Sequence, residues 1–248
     1  MKLAFADARI WRYLVSSIAK VIEEGIFNII PDEGLRFRAM DPSHVIMLDM
    51  FFPVDSFEEF EVEEEKKLGI NFEDLAKIMR RATKNDRLEL MEEENRLSIV
   101  FSSSRSYRKF TIPLLDITGE ELPEAQLEFN ANIKMLADAY RELIKDVELI
   151  GDVIKLHADK EVFKAVTSSD LGEAEIIITP ESGEIIEANV KDPPQVAAYT
   201  LEYFSDLLSA AQVADSVIIR FSSDMPVQVE YELPQNASFK FLVAPRVE

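Results

Sequence analysis

INFEDLAKIMRRATKNDRLEL (70–90) returns in pattern as YTLEYFSDLLSAAQVADSVII (199–219), about 129 positions later. Phe72 falls on Leu201 and Leu75 on Phe204. Ile78 and Met79 fall on Leu207 and Leu208, and Asp86 on Asp215. In both stretches apolar residues recur at i, i+3 and i+6 or i+7, the spacing of an amphipathic helix. The spacing predicts helices over 72–84 and 200–212, each passing into short alternating strands.

The similarity extends outward from this pair. LSIVF and RKFTIPL follow the first copy; VIIRF, VQVEYEL and FKFLVAP follow the second. Upstream, FADARIWRYLVSSIAKVIEE leads into strands at 25–30 and 35–40. FNANIKMLADAYRELIKDVE leads into strands near 152–158 and 161–168. Each half therefore reads β-α-β-β-β-α-β-β-β. PDEG (31–34), EEEN (92–95) and PESG (180–183) are turn signals, read as joining adjacent strands, so antiparallel sheets are expected. The fold class is α+β, with two similar domains at 1–115 and 128–248. The connector, 116–127, mixes acids with Ile117, Leu122 and Leu127. A purely flexible linker would lack such hydrophobes, so this one is expected to lie partly ordered against the surface.

The 248 residues suffice for two ordinary domains, and 47% hydrophobic with 30% charged content suits a folded chain. No cysteine occurs, which excludes disulfides, thiolate nucleophiles and cysteine-ligated zinc. An intracellular address fits. MKLAFADARIWRYL shows no signal peptide, and charges interrupt every long apolar run, so no membrane span is expected. Against 27 Lys and Arg stand 47 Asp and Glu, a net charge of −20. Taken as a sum this opposes nucleic-acid binding, but placement outweighs the sum.

Two histidines invite a catalytic or metal reading: His44 with Asp41, and His157 with Asp159 and Glu161. A metal-dependent hydrolase needs several such ligands converging. No HExxH, GxSxG or phosphate-cradling glycine loop accompanies them, and seven glycines leave little room for loop chemistry. The reading is therefore of no enzyme, no cofactor and no metal. Asp41-Pro42 instead breaks a strand between LRFRAM and VIMLDMFF.

The duplicated pattern, the acidic connector, AMDPSHV, LGINFEDLAKIMRRA and the ending FLVAPRVE together resemble the sliding clamp family called proliferating cell nuclear antigen, in its archaeal form. The resemblance covers the whole chain. It implies a ring of three subunits, with helices lining a hole for duplex DNA and sheets outside. It implies a non-catalytic processivity factor, cytoplasmic and associated with chromosomal DNA. DNA polymerase, flap endonuclease, DNA ligase and a clamp loader would be its partners. Homotrimer and heterotrimer both remain open, as does a non-ring protein-binding module of the same fold.

Charge placement agrees with that resemblance. Lys77, Arg80, Arg81 and Lys84 recur along one stripe of the 72–84 helix. On the first helix Arg9, Arg12 and Lys20 lie away from Ile10, Leu14 and Ile18; on the third, Lys134, Arg141 and Lys145 line up. The acids gather in EEFEVEEEKK (58–67), ELMEEEN (89–95) and GEELPEA. The 200–212 helix departs from relatives: it has no Lys or Arg but carries Glu202 and Asp206, so DNA contact is expected to lean on the first domain.

Carried over from the resemblance, a partner-peptide pocket comprises Met40, His44, Val45, Met47, Leu122, Leu127, Pro226, Ala244 and Pro245. Subunits would pair through two sheet edges, YRKFTIPLL (107–115) and GEAEIIITP (172–180). Arg108, Lys109, Phe110 and Ile112 belong to the first, with Arg105 just before it, and Glu173, Glu175, Ile176 and Ile178 to the second.

Overall fold

The computed structural model describes residues 1–117 and 122–246. Part of the expected connector, 118–121, and the last two residues of VAPRVE lie outside the described residues.

The first half of the chain runs β1 (Lys2–Phe5), α1 (Ala8–Val21), β2 (Glu24–Ile30), β3 (Gly34–Met40), β4 (Ile46–Pro53), β5 (Glu59–Glu61), β6 (Lys66–Asn71), α2 (Phe72–Met79), β7 (Arg87–Glu93), β8 (Arg96–Ser102) and β9 (Tyr107–Pro113). The second half runs β10 (Ala131–Leu136), α3 (Ala137–Glu148), β11 (Val153–Ala158), β12 (Phe163–Ser169), β13 (Gly172–Ile178), β14 (Ile185–Val190), β15 (Gln195–Thr200), α4 (Leu201–Leu207), β16 (Ser216–Phe221), β17 (Val227–Glu232) and β18 (Ser238–Val243). The α+β duplication holds. Between the helices of each half lie five strands where the pattern suggested three. The extra ones are β5 and β6, and β14 and β15. Repeated glutamates hide the alternation of β5, and β14 is exposed along most of its length, so neither shows a period-two pattern.

Capping explains the starts of α1 and α2. The Asp7 carboxylate accepts from the Arg9 amide at 2.9 Å, and the Asn71 side chain accepts from the Asp74 amide at 3.0 Å. Glu73 and Asp74 then sit in the first turn of α2, where the helix dipole favours acids. The buried face of α1 is Ala8, Trp11, Leu14, Val15 and Ile18, so Trp11 takes the core place expected for Ile10. α2 stops at Met79 rather than near residue 84. Thr83 turns the chain there: its amide and hydroxyl both donate to the Asp86 carboxylate at 2.7 Å. α4 likewise gives way to a 3-10 stretch, Leu208–Val213.

Sheet order follows from the hairpins. β5, β1, β7, β8 and β9 lie side by side in that order, as do β4, β3, β2 and β6. In the second half the orders are β14, β10, β16, β17, β18 and β13, β12, β11, β15. The registered pairings are antiparallel. EEEN makes a two-residue hairpin, with Glu93 opposite Arg96 and Glu94 at φ +58°. PESG does not join neighbours. Its 3-10 turn, Pro180–Ser182, carries the chain from β13 in one sheet to β14 in another. At PDEG, Gly34 has φ +131°, and a Cβ there would lie 2.0 Å from the Phe52 carbonyl oxygen, so only glycine fits.

Two compact units result. The first comprises Met1–Met40, Leu48–Leu122 and Pro234–Phe239; the second comprises Asp41–Met47, Pro123–Leu233 and Lys240–Glu248. In the first, the fully buried Trp11 ring meets Phe5 at 5.0 Å, Phe52 at 5.2 Å and Phe27 at 5.7 Å. In the second, Tyr231 meets Tyr140 at 5.8 Å and Phe241 at 5.9 Å, and Phe204 meets Phe241 at 5.7 Å. Burial pushes the Tyr140 and Tyr231 hydroxyls far above the ordinary phenol range, so neither ionises in the core.

Candidate nucleic-acid and partner interfaces

The helix pair of the first unit carries its cations on the solvent side. Lys20, Lys77, Arg80, Arg81 and Lys84 are exposed, while Arg9 and Arg12 are half-buried. Several are already engaged. Arg9 grips the Asp7 carboxylate, with Nη2 at 2.5 Å. The Arg12 guanidinium donates to the Ala82 carbonyl at 3.1 Å. Lys77 Nζ lies 3.0 Å from Glu73 and 3.1 Å from Asp74, and these carboxylates raise its pKa. Arg81 and Lys84 fall beyond the end of α2, so the expected four-residue helical stripe is a short helix followed by a basic turn.

The second unit differs. Arg141 pairs with Asp138 at 2.8 Å and Lys145 with Glu142 at 2.9 Å, both along α3 itself. Lys134 does not belong to α3: it lies on β10 and pairs with Glu232 at 2.5 Å. α4 carries Glu202 and Asp206 and no base.

The 41–46 turn is built by Asp41. Its Oδ1 accepts from the amides of Val45 at 2.8 Å and Ile46 at 2.9 Å. Its Oδ2 accepts from the amide of Ser43 at 3.1 Å and from the Ser43 hydroxyl. Burial alone would push this carboxyl up, but those hydrogen bonds outweigh it and hold it below the usual carboxylate range. Asp41 is thus a staple, not a partner for His44, whose ring is exposed on a backbone at φ +59°. His157 lies on β11 between Lys164 and Val196, with a buried Nδ1 that lacks a hydrogen-bond partner. Among the described residues, no group of three or more His, Asp or Glu side chains gathers as a metal site.

The expected peptide-pocket residues vary in exposure. Met40 and His44 are exposed; Val45, Leu122, Leu127, Pro226, Ala244 and Pro245 are half-buried; Met47 is buried. In the second unit the Ala244 amide donates to the Val45 carbonyl at 2.9 Å, joining the tail to the 41–46 turn. In the first unit Arg38 Nη1 donates to the Leu122 carbonyl at 2.7 Å while its guanidinium pairs with the buried Asp49 at 2.8 Å. The Leu115 amide bonds the Gly69 carbonyl at 2.9 Å, pinning the other end of the connector.

Residues 1–120 match the family model described as proliferating cell nuclear antigen, N-terminal domain, and residues 122–246 match the C-terminal domain model. The chain belongs to the proliferating cell nuclear antigen family. It is 39% identical to "DNA polymerase sliding clamp 3" of Aeropyrum pernix, covering 98% of this chain and 97% of that one. It is 35% identical to the "DNA polymerase sliding clamp" of Thermofilum pendens, covering both chains fully. Among solved structures, a chain of the PCNA2–PCNA3 complex from Sulfolobus tokodaii superposes with a TM-score of 0.92 at 30% identity over 100% of both chains. PCNA from Thermococcus kodakaraensis gives 0.91 at 27% identity over 99% of both.

In this member of the proliferating cell nuclear antigen family, β9 and β13 both end their sheets. Their charges are largely engaged within the chain. Arg108 pairs with the buried Asp86 at 2.7 Å and lies over the Phe101 ring. Lys109 pairs with Glu93 at 2.8 Å, and Glu175 with Lys164 at 2.6 Å. Arg105 and Glu173 are exposed. Phe110 and Ile176 are half-buried, and Ile112 and Ile178 point into their own cores. Sequence reasoning missed Tyr107, at 69% exposure, and Ile177, at 54%. Strict alternation along each strand would have found both, since outward residues are every second one. It also missed a cavity of about 510 Å³ lined by Lys155, Val196, Ala197, Ala198, Ser223, Asp224, Pro245 and Arg246. There the Arg246 amide bonds the Ala198 carbonyl at 2.8 Å, so the tail adds to the edge of β15, a pairing no local pattern announces. No described helix is long and apolar enough to cross a membrane.

Proposed function

We propose that this chain is a subunit of a ring-shaped sliding clamp that encloses duplex DNA without reading sequence and tethers replication and repair enzymes to it. The observation that carries the reading is that the two family models together span nearly the whole chain, 1–120 and 122–246. The clamp acts by topology and has no catalytic role; its domains are 1–115 and 128–248, joined by the connector 116–127. The exposed cations Lys20 on α1 and Arg80, Arg81 and Lys84 in the turn after α2 hold phosphates loosely, and loose contacts permit sliding. Partner enzymes, among them DNA polymerase, flap endonuclease and DNA ligase, dock a short apolar peptide against Met40, His44, Val45, Leu122, Leu127, Pro226, Ala244 and Pro245; a clamp loader opens the ring.

Subunits join by antiparallel pairing of β9 on one copy with β13 on the next. With Tyr107 set opposite Ile177, Lys109 falls opposite Glu175, Phe110 opposite Ala174 and Ile112 opposite Gly172. Opposite charges then meet, and large side chains meet small ones, which supports self-association.

Retention on nicked circular DNA tests the proposal. With a clamp loader present, the chain should stay on circles and run off after linearisation. Equal retention on both forms would point to a non-ring binding module instead.

A further inference from the structure

Charge on the helices is unequal between the two units. The bodies of α1 and α2 carry four bases, Arg9, Arg12, Lys20 and Lys77, against two acids, Glu73 and Asp74. Of these bases Arg9 is ion-paired to Asp7 and Lys77 to Glu73 and Asp74, so the difference between the units rests on the net charge and on the exposed turn after α2. The bodies of α3 and α4 carry two bases against six acids. Both of those bases, Arg141 and Lys145, are already ion-paired to carboxylates on their own helix. Asp146, Glu148 and Glu202 stand exposed. The turn after α2 adds Arg80, Arg81 and Lys84 to the first unit.

From this inequality we infer that phosphate contact is confined to the helix pair of the first unit and the turn after α2, and that the helix pair of the second unit repels the duplex. The inference rests on the clamp reading above and deepens it by dividing the DNA-facing surface into an attracting part and a repelling part. The physical ground is that phosphate binding draws its strength from cations that release counterions on contact. A cation held 2.8–2.9 Å from a carboxylate on its own helix has little such release to offer. Each nearby carboxylate lowers the local potential further. Weak, one-sided attraction leaves the duplex mobile, as sliding requires.

The test is anisotropy of a labelled duplex titrated with the pure full chain across a salt series, with the oligomeric mass of every variant checked. Arg80→Ala with Lys84→Ala should reduce the slope of log K against log salt by about 1–2, roughly one unit for each phosphate no longer held. Arg12→Ala with Lys20→Ala gives an independent check if the first pair misfolds. Arg141→Ala with Lys145→Ala should leave the slope unchanged. Glu148→Gln with Glu202→Gln should tighten binding about 2–5-fold at low salt, since removing repulsion is a gain that no folding defect imitates. The inference is overturned if the Arg141 and Lys145 variant loses as much slope as the first-unit variants, or if neutralising Glu148 and Glu202 fails to tighten binding. A wild-type chain that shows no salt-dependent DNA binding at all would instead overturn the clamp reading.

Discussion

Replacing Asp41 tests whether one carboxylate holds the turn that presents His44. In Asp41→Ala four hydrogen bonds disappear, those from the Ser43 amide and hydroxyl and the Val45 and Ile46 amides. Ser43 is exposed and Val45 half-buried, so water can replace the carboxylate there. Ile46 is fully buried, and its amide is orphaned. One orphaned buried donor costs about 1–3 kcal/mol, and partial loss of the charged bonds at 43 and 45 adds about 1 kcal/mol. Asp41→Ala should therefore lose about 2–4 kcal/mol, and Asp41→Asn, which keeps Oδ1, about 1 kcal/mol. Urea unfolding followed by far-ultraviolet circular dichroism, which reports both units, reads both. The pH dependence adds a second constraint. This carboxyl's pKa is depressed below its ordinary 3.8 in the folded chain, so its contribution is complete above the unfolded value and fades as pH falls through the folded one. The gap between wild type and Asp41→Asn should be flat near neutrality and close in acid. The reasoning fails if Asp41→Ala unfolds within about 0.5 kcal/mol of wild type at neutral pH, the range of an ordinary surface change.

Arg38→Ala leaves the buried Asp49 without its guanidinium and frees the Leu122 carbonyl, so it should destabilise by about 3–5 kcal/mol in thermal or urea unfolding. Arg38→Met with Asp49→Leu should recover most of that loss, because the buried charge is gone. Trp11→Ala should cost about 3–5 kcal/mol, given the full burial of the ring against Phe5, Phe27 and Phe52. Leu122→Glu should abolish stimulation of a partner polymerase while sedimentation shows the oligomer intact; surviving stimulation removes Leu122 from the docking surface. Because the chain has no cysteine, Phe110→Cys with Ala174→Cys should give oxidant-dependent crosslinks between copies on a denaturing gel, and their absence would exclude the proposed strand register.

Local rules reached far into this protein. The offset between 70–90 and 199–219 carried the duplication, and caps at Asp7 and Asn71 set the starts of α1 and α2. The pairs Asp138–Arg141 and Glu142–Lys145 are three residues apart, so the neutralised bases of α3 were already written in the chain. Alternation along β9 and β13 likewise contained Tyr107 and Ile177. These features depend on residues close in sequence, where helix and strand periods fix who meets whom. Folding alone assigned the rest. Asp86 meets Arg108 across 22 positions, Arg38 reaches Leu122 across 84, and Arg246 closes on Ala198. It was folding, too, that sent PESG from one sheet to another. Such pairings depend on how sheets stack and which edges stay open, and short-range periodicity carries no information about either.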